Sequence, residues 1–157
     1  MSHSLEQFIG QPLRRVLYYR PQGDANIDLN WPGIHDVGLG VELTFDTGYF
    51  FVTWDNAAEE ELSVYHGRMV DFLKEGIFED ISQHADWQAH IGQPMEAVHL
   101  LPNEAVVQIG GKQVFVITAE VDPDSLQIDG MADNLVVFFS PEARNAFYAQ
   151  YPDTQTA

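Results

Sequence analysis

Between residues 41 and 45, Val41, Leu43 and Phe45 alternate with Glu42 and Thr44, the two-residue period of a strand with one buried face. Asp46-Thr47-Gly48 is a tight turn that returns the chain. The next run, Tyr49 to Trp54, is apolar on both faces, as are Val114 to Ile117 and Leu135 to Phe139, and such runs suit central strands covered from both sides. Ser140 as a cap and Pro141 at the first helical position predict a helix over 141–151, with Phe147 and Tyr151 four apart to dock it on a sheet. Met69, Val70, Phe72 and Leu73 carry helical spacing, yet their counterparts in the second half read as strand, so 68–76 is open between helix and strand.

Those counterparts come from a repeat. Ser4 to Val16 resembles Asp86 to Val98 at an offset of 82, with Ile-Gly-Gln-Pro identical in both. Each copy reads as a one-turn helix capped by Ser4 or Asp86, ended by Gly10 or Gly92 and a proline, and followed by a strand. Val41 to Phe45 matches Ala105 to Ile109 at an offset of 64, and Tyr49 to Trp54 matches Val114 to Ala119 at 65. A third element pairs Leu62-Ser-Val64 with Leu126-Gln-Ile128 and Met69-Val-Asp71 with Met131-Ala-Asp133. The expected architecture is α+β and mainly antiparallel β: one compact domain over 1–157, with two similar β-meander repeats, about 4–78 and 86–139, in a pseudo-two-fold arrangement. Short helices and the C-terminal helix pack on the sheet.

The fall in offset from 82 to 64 locates an insertion in the first copy, within Pro21 to Gly40, where the second has only Leu101-Pro-Asn-Glu104. A loop of that length in a compact domain is either a structural flap or a contact surface. Trp31, Ile34 and Leu39 give it apolar side chains to pack.

Charge changes the picture most. Seven Lys and Arg face 24 Asp and Glu, a formal charge of −17. A small domain needs a net charge of only about 2 to 8 for solubility, and self-repulsion costs stability. The acids are uneven: Pro21 to Glu61 holds nine and Gln113 to Ala143 six, and neither tract contains Lys or Arg, whereas Arg14, Arg15 and Arg20 cluster at the first strand. Asp55 and Glu120 fall at matching points of the two copies. A field of this sign repels nucleic acid and anionic membranes and attracts basic proteins.

Few residues suggest chemistry. With no cysteine there is no disulfide framework, thiolate metal site or cysteine nucleophile. Glycine-rich phosphate loops, His-Glu-x-x-His and Gly-x-Ser-x-Gly do not occur. Asp122, Asp124 and Asp129-Gly130 lack the ligand spacing of a calcium loop. His84 and His90 with Asp80 and Asp86 form a sequence-local imidazole and carboxylate group, but His90 aligns with Phe8 and His99 with Leu17, which points to packing. His35-Asp36 is the one pair with the makings of an oriented base. No catalytic residue, metal ligand or cofactor is assigned.

These features favour an acidic module that binds a basic protein partner, and no nucleic acid or membrane. The contact set is Asp24, Asp28, Trp31, His35, Asp36, Asp55, Glu59, Glu60 and Glu61. In composition alone it is similar to small, acidic bacterial immunity and antitoxin proteins. One alternative is a small-molecule or enzymatic pocket between the repeats or under the 21–40 loop, lined by Tyr18, Trp31, His35 and Tyr49; another is an oligomerisation module built on an edge strand. The first residues carry no basic, apolar leader pattern and no run approaches 18 apolar residues, so the expected location is cytoplasmic.

Overall fold

The computed structural model describes residues 2–20, 30–55, 61–72, 76–101, 103–121 and 128–150. After a 3-10 helix at Ser2–Phe8 come β1 (Arg15–Arg20), β2 (Asn30–Trp31), β3 (Ile34–Gly38), β4 (Gly40–Phe45), β5 (Gly48–Asp55) and β6 (Glu61–His66). A single helical turn, α1 (Met69–Phe72), leads to β7 (Ile77–Asp80), and another, α2 (Ala85–Gln88), to β8 (Met95–Leu101). The chain closes with β9 (Glu104–Ile109), β10 (Lys112–Val121), β11 (Ile128–Phe138) and α3 (Pro141–Gln150). The fold is thus mainly antiparallel β, with few helices and one at the C-terminal end. One sheet runs β6-β5-β4-β1-β7 and the other β2-β3-β11-β10-β9-β8.

Strand alternation sorts the side chains into layers. Val16, Tyr18, Val41, Leu43, Phe50 and Val52 of the first sheet meet Ala105, Val107, Val114, Val116, Leu135 and Val137 of the second in one buried core, closed at one end by Leu5, Phe8 and Trp87. The runs that are apolar on both faces have a second partner. Phe51 faces away from that core and packs with Leu17 and Tyr19 under Met69 of α1. Phe115, Ile117, Val136 and Phe138 lie under Phe147 and Tyr148 of α3. Each fully buried side chain of this size stabilises by roughly 1.5–3 kcal/mol. Arg144 fixes α3 further through two hydrogen bonds, 2.8 and 3.0 Å, to the buried carboxylate of Glu104, and its guanidinium lies 4.6 Å from the Tyr148 ring centre.

The two meanders have matching registers. Val16 pairs with Leu43 and Tyr18 with Val41; Val98, 82 residues on from Val16, pairs with Val107, 64 on from Leu43, and Leu100 likewise with Ala105. The two Ile-Gly-Gln-Pro segments lie against each other. Gly10 N–H donates to the Met95 carbonyl and Gly92 N–H to that of Leu13, both at 2.7 Å. Leu13 N–H donates to Gln93 at 2.9 Å and Met95 N–H to Gln11 at 3.0 Å, and Pro12 faces Pro94 in an antiparallel bridge. Gly10 and Gly92 have φ of +91° and +84°, the left-handed region in which a side chain is strained.

Several sequence expectations need correction. Phe45 pairs with Gly48 and Ile109 with Lys112, so both hairpins have two-residue turns and β5 matches β10 at 64, not 65, which sets Asp55 against Ala119 and not, as expected, against Glu120. Gly110 and Gly111, at +60° and +80°, supply the two positive φ angles of such a turn. Val64 pairs with Val52 at mid-strand while Ile128 pairs with Val121 at a strand end, and Met69 opens a helix while Met131 lies within β11. The third element of the repeat alignment therefore does not match. Among the described residues of 68–76, Met69–Phe72 is helical, its start held by the buried Glu42 carboxylate accepting Met69 N–H at 2.7 Å. The cap of α2 is His84, not Asp86. Tyr151 lies outside the described residues.

Candidate functional site

The described part of the insertion, from Asn30 onward, forms strands. β2 and β3 form a hairpin, and β3 pairs with β11, so a segment of the first half extends the second sheet. His35 and Val37, two apart on one strand face, both turn into the protein and are fully buried. His35 there meets Tyr18, which β1 directs inward from the opposite sheet, while α2 brings Asp86 and Trp87 to the same point.

The four side chains form a directed hydrogen-bond chain. The Trp87 indole N–H donates to Tyr18 Oη at 2.7 Å. Tyr18 Oη lies 2.7 Å from His35 Nδ1, and His35 Nε2 lies 3.0 Å from Asp86 Oδ2. An ionised carboxylate only accepts, which places the imidazole proton on Nε2 and leaves Nδ1 to accept the Tyr18 hydroxyl proton. Asp86 Oδ2 also accepts Gly33 N–H, 2.8 Å away, from the β2–β3 turn. Burial, helped by neighbouring His84, pulls the His35 pKa down to about 4, against the opposing pull of Asp86. Burial pushes the Tyr18 phenol far above its usual value.

Chemically the chain is a latch. Both His35 nitrogens are engaged, so neither offers a lone pair to a substrate. His35, His84 and Asp86 each present a ligand atom, all within 4.8 Å of one another, and no other such trio occurs among the described residues. A metal on His35 Nε2 would move the ring proton to Nδ1, against Tyr18 Oη, and take away the acceptor of the Tyr18 hydroxyl proton. The donor set therefore suits the latch better than an ion. His90, the other histidine of the sequence-local group, packs between Trp87 and Phe139 instead.

The contact residues read from the sequence separate into three groups. His35 and Asp36 are buried: the Asp36 carboxylate accepts from Asn134 at 2.6 Å, and its carbonyl from Arg20 at 2.7 Å. Trp31, Asp55 and Glu61 are placed by backbone only, at the ends of β2, β5 and β6. Asp24, Asp28, Glu59 and Glu60 lie outside the described residues. Of the pocket residues, Tyr18 and His35 do meet, while Tyr49 packs elsewhere under Arg68, 5.6 Å from its ring centre. Two grooves, of about 470 and 400 Å³, lie elsewhere on the protein, and neither is lined by Tyr18 or His35.

Register places acids opposite acids. Asp55 is paired with Glu61 at the end of the β5–β6 hairpin, and Glu120 with Asp129 near the end of β10–β11. Like charges directly across a ladder are destabilising. The two hairpins also touch, β5 against β11 and β6 against β10. The arginines at β1, by contrast, are neutralised within their own sheet: Arg14 by Asp46, Arg15 by Asp80 and Arg20 by Glu79, at 2.8–2.9 Å.

No family model, curated protein or solved structure matches this chain. Among the described residues no helix is long and apolar enough to cross a membrane.

Proposed function

We propose that this protein is an acidic binding module that engages a basic protein partner, with the β5–β6 and β10–β11 hairpins as its contact surface. The observation that carries the reading is the pairing of Asp55 with Glu61 and of Glu120 with Asp129. Like charges at paired ladder positions are unfavourable as a rule, and the sequence between the paired strands adds acids, Glu59 and Glu60 in one hairpin and Asp122 and Asp124 in the other, without a single Lys or Arg. A basic partner offsets that repulsion on binding, which makes the cost part of the affinity. An immunity or antitoxin-type inhibitor of a cationic enzyme, acting in the cytoplasm, is one form of this function.

The pseudo-two-fold arrangement belongs to the same proposal. Its axis passes between Pro12 and Pro94, supported by the reciprocal hydrogen bonds of Gly10 and Gly92 and by the contacts of β5 with β11 and β6 with β10, which exchange under the same operation. A two-fold of this kind relates the β5–β6 and β10–β11 hairpins as the two lobes of one acidic surface.

The test is capture of partners from cells that express the protein, at low salt, with immobilised wild type beside a variant carrying Asp55→Asn, Glu59→Gln, Glu60→Gln and Glu61→Gln. A basic protein held by the wild type, released by raised salt and lost from the variant is the expected result. Equal retention by both proteins would contradict the reading.

A further inference from the structure

β8 is the outer strand of its sheet, while β1, which occupies the equivalent place in the other sheet, is covered by β7. The backbone of β1 turns alternately to its two neighbours. Val16 carries the outward set: its N–H donates to Ser82 Oγ at 2.9 Å and its carbonyl accepts Ile81 N–H at 3.0 Å. Tyr19 carries the inward set, its carbonyl accepting Leu39 N–H at 2.9 Å. Since β8 pairs with β9 in the register of β1 with β4, Val98 and Leu100 present N–H and C=O outward, where no described strand meets them. Natural sheets usually blunt such an edge with Lys, Pro or a bulge. β8 has one irregularity, between Met95 and Ala97 at its start, and from Ala97 to Leu101 it holds none of the three.

The surroundings suit a guest. A groove of about 470 Å³ runs between β8 and the N-terminal 3-10 helix, lined by Glu6, Ile9, Glu96, Val98 and Leu100 among others. Ile9 and Leu101 beside it are 44% exposed, unusual for large apolar side chains in this protein. The carboxylates along the groove are those of Glu6 and Glu96, the latter also accepting Gly111 N–H at 2.6 Å, and no Lys or Arg lines it. A second copy would bring further acids and a second charge of −17 to the same place, whereas a basic strand is attracted.

We infer that β8 accepts an extended segment of a basic partner by antiparallel strand addition, with backbone bonds to Val98 and Leu100, apolar residues toward Ile9 and Lys or Arg toward Glu6 and Glu96. The inference rests on the basic-partner reading and adds a second, structurally separate contact to the acidic hairpins.

The probe is a seven-residue peptide alternating Lys or Arg with Val, compared with a twin carrying Glu at the charged positions and titrated into the whole protein by amide NMR. The expected result is shifts and slowed exchange at the Val98 and Leu100 amides with the basic peptide alone. Leu100→Pro removes an outward N–H and leaves the β8–β9 backbone bonds in place, with Leu100→Ala as the control for the packing of its side chain on the core, and Glu6→Lys reverses charge on the rim without altering the strand. Leu100→Pro and Glu6→Lys each weaken binding tenfold or more, with the far-UV spectrum unchanged. Equal binding of the acidic twin, a dimer joined through β8, or amides at Val98 and Leu100 already protected in the free monomer would overturn the inference. So would peptide shifts confined to the hairpins, an outcome that leaves the basic-partner reading standing; loss of salt-sensitive capture with β8 binding retained would do the reverse.

Discussion

The hydroxyl of Tyr18 in one sheet lies 2.7 Å from Nδ1 of His35 in the other, and with the Trp87 indole and the Asp86 carboxylate this contact ties the inserted hairpin to both halves. Tyr18→Phe removes the middle of the chain and nothing else. It leaves the Trp87 N–H and His35 Nδ1 buried without a partner, each at about 1–3 kcal/mol. Urea unfolding is expected to show a loss of about 2–4 kcal/mol with an unchanged m-value, well above the ordinary effect of removing one hydroxyl.

His35 makes stability depend on pH in a defined window. Its folded pKa, about 4, lies below the unfolded value of 6.5, so between them the unfolded chain binds more protons. The contribution is complete above pH 6.5 and is lost as pH falls toward 4, on the order of 3 kcal/mol in all. His35→Gln keeps an acceptor for Tyr18 and a donor for Asp86 but does not titrate. Denaturation at several pH values is therefore expected to give a shallower slope for the variant between pH 6.5 and 4, the carboxylate contribution being common to both proteins.

The pairing of Arg144 with Glu104 yields a third expectation. Arg144→Met leaves a carboxylate that is 1% exposed without its cation. The cost is about 2–4 kcal/mol, below the deepest cases because Arg144 itself is part-exposed. The double variant Arg144→Met with Glu104→Leu recovers most of the loss, since it removes the stranded charge. Thermal unfolding of the wild type, the single and the double variant measures both statements.

Gly10→Ala and Gly92→Ala test the proposed two-fold. A Cβ meets no atom within 4 Å at either glycine, so backbone strain at positive φ is the whole effect. Each substitution is expected to cost about 1 kcal/mol, and the two by the same amount. A large cost at one site with none at the other would count against equivalent halves.

Much of this fold is legible in the sequence because its signals are local. The alternation of Val41, Leu43 and Phe45 and the doubly apolar runs at 49–54 and 135–139 describe strands, and β4, β5 and β11 occupy those places, although Glu42, on the face of β4 expected to be polar and open, is buried where its carboxylate holds the start of α1. The offsets 82 and 64 reappear as registers. What failed involved turns and distant partners. Asp46-Thr47 and Gly110-Gly111 are turns of equal length but unlike composition, so the sequence match of Tyr49 with Val114 runs one residue off the pairing of Gly48 with Lys112 that the hairpins fix. The repeat sets Asp86 beside Ser4 as a cap, whereas the fold turns that carboxylate to His35 and leaves capping to His84. Tyr18 and His35 were both named as residues of a pocket, but their neighbour Trp87 is 69 residues from Tyr18, and no periodicity reports a contact of that range.

The central claim is electrostatic recognition of a basic protein by the two hairpins, and the dissociation constant of the captured partner measured against salt tests it most directly. Between about 10 mM and 1 M salt the Debye length falls from about 30 to about 3 Å. Affinity is expected to weaken steeply across that range, and neutralising Asp55, Glu59, Glu60 and Glu61 to flatten the dependence. An affinity that stays constant with salt, or a slope that the substitutions leave unchanged, would contradict it.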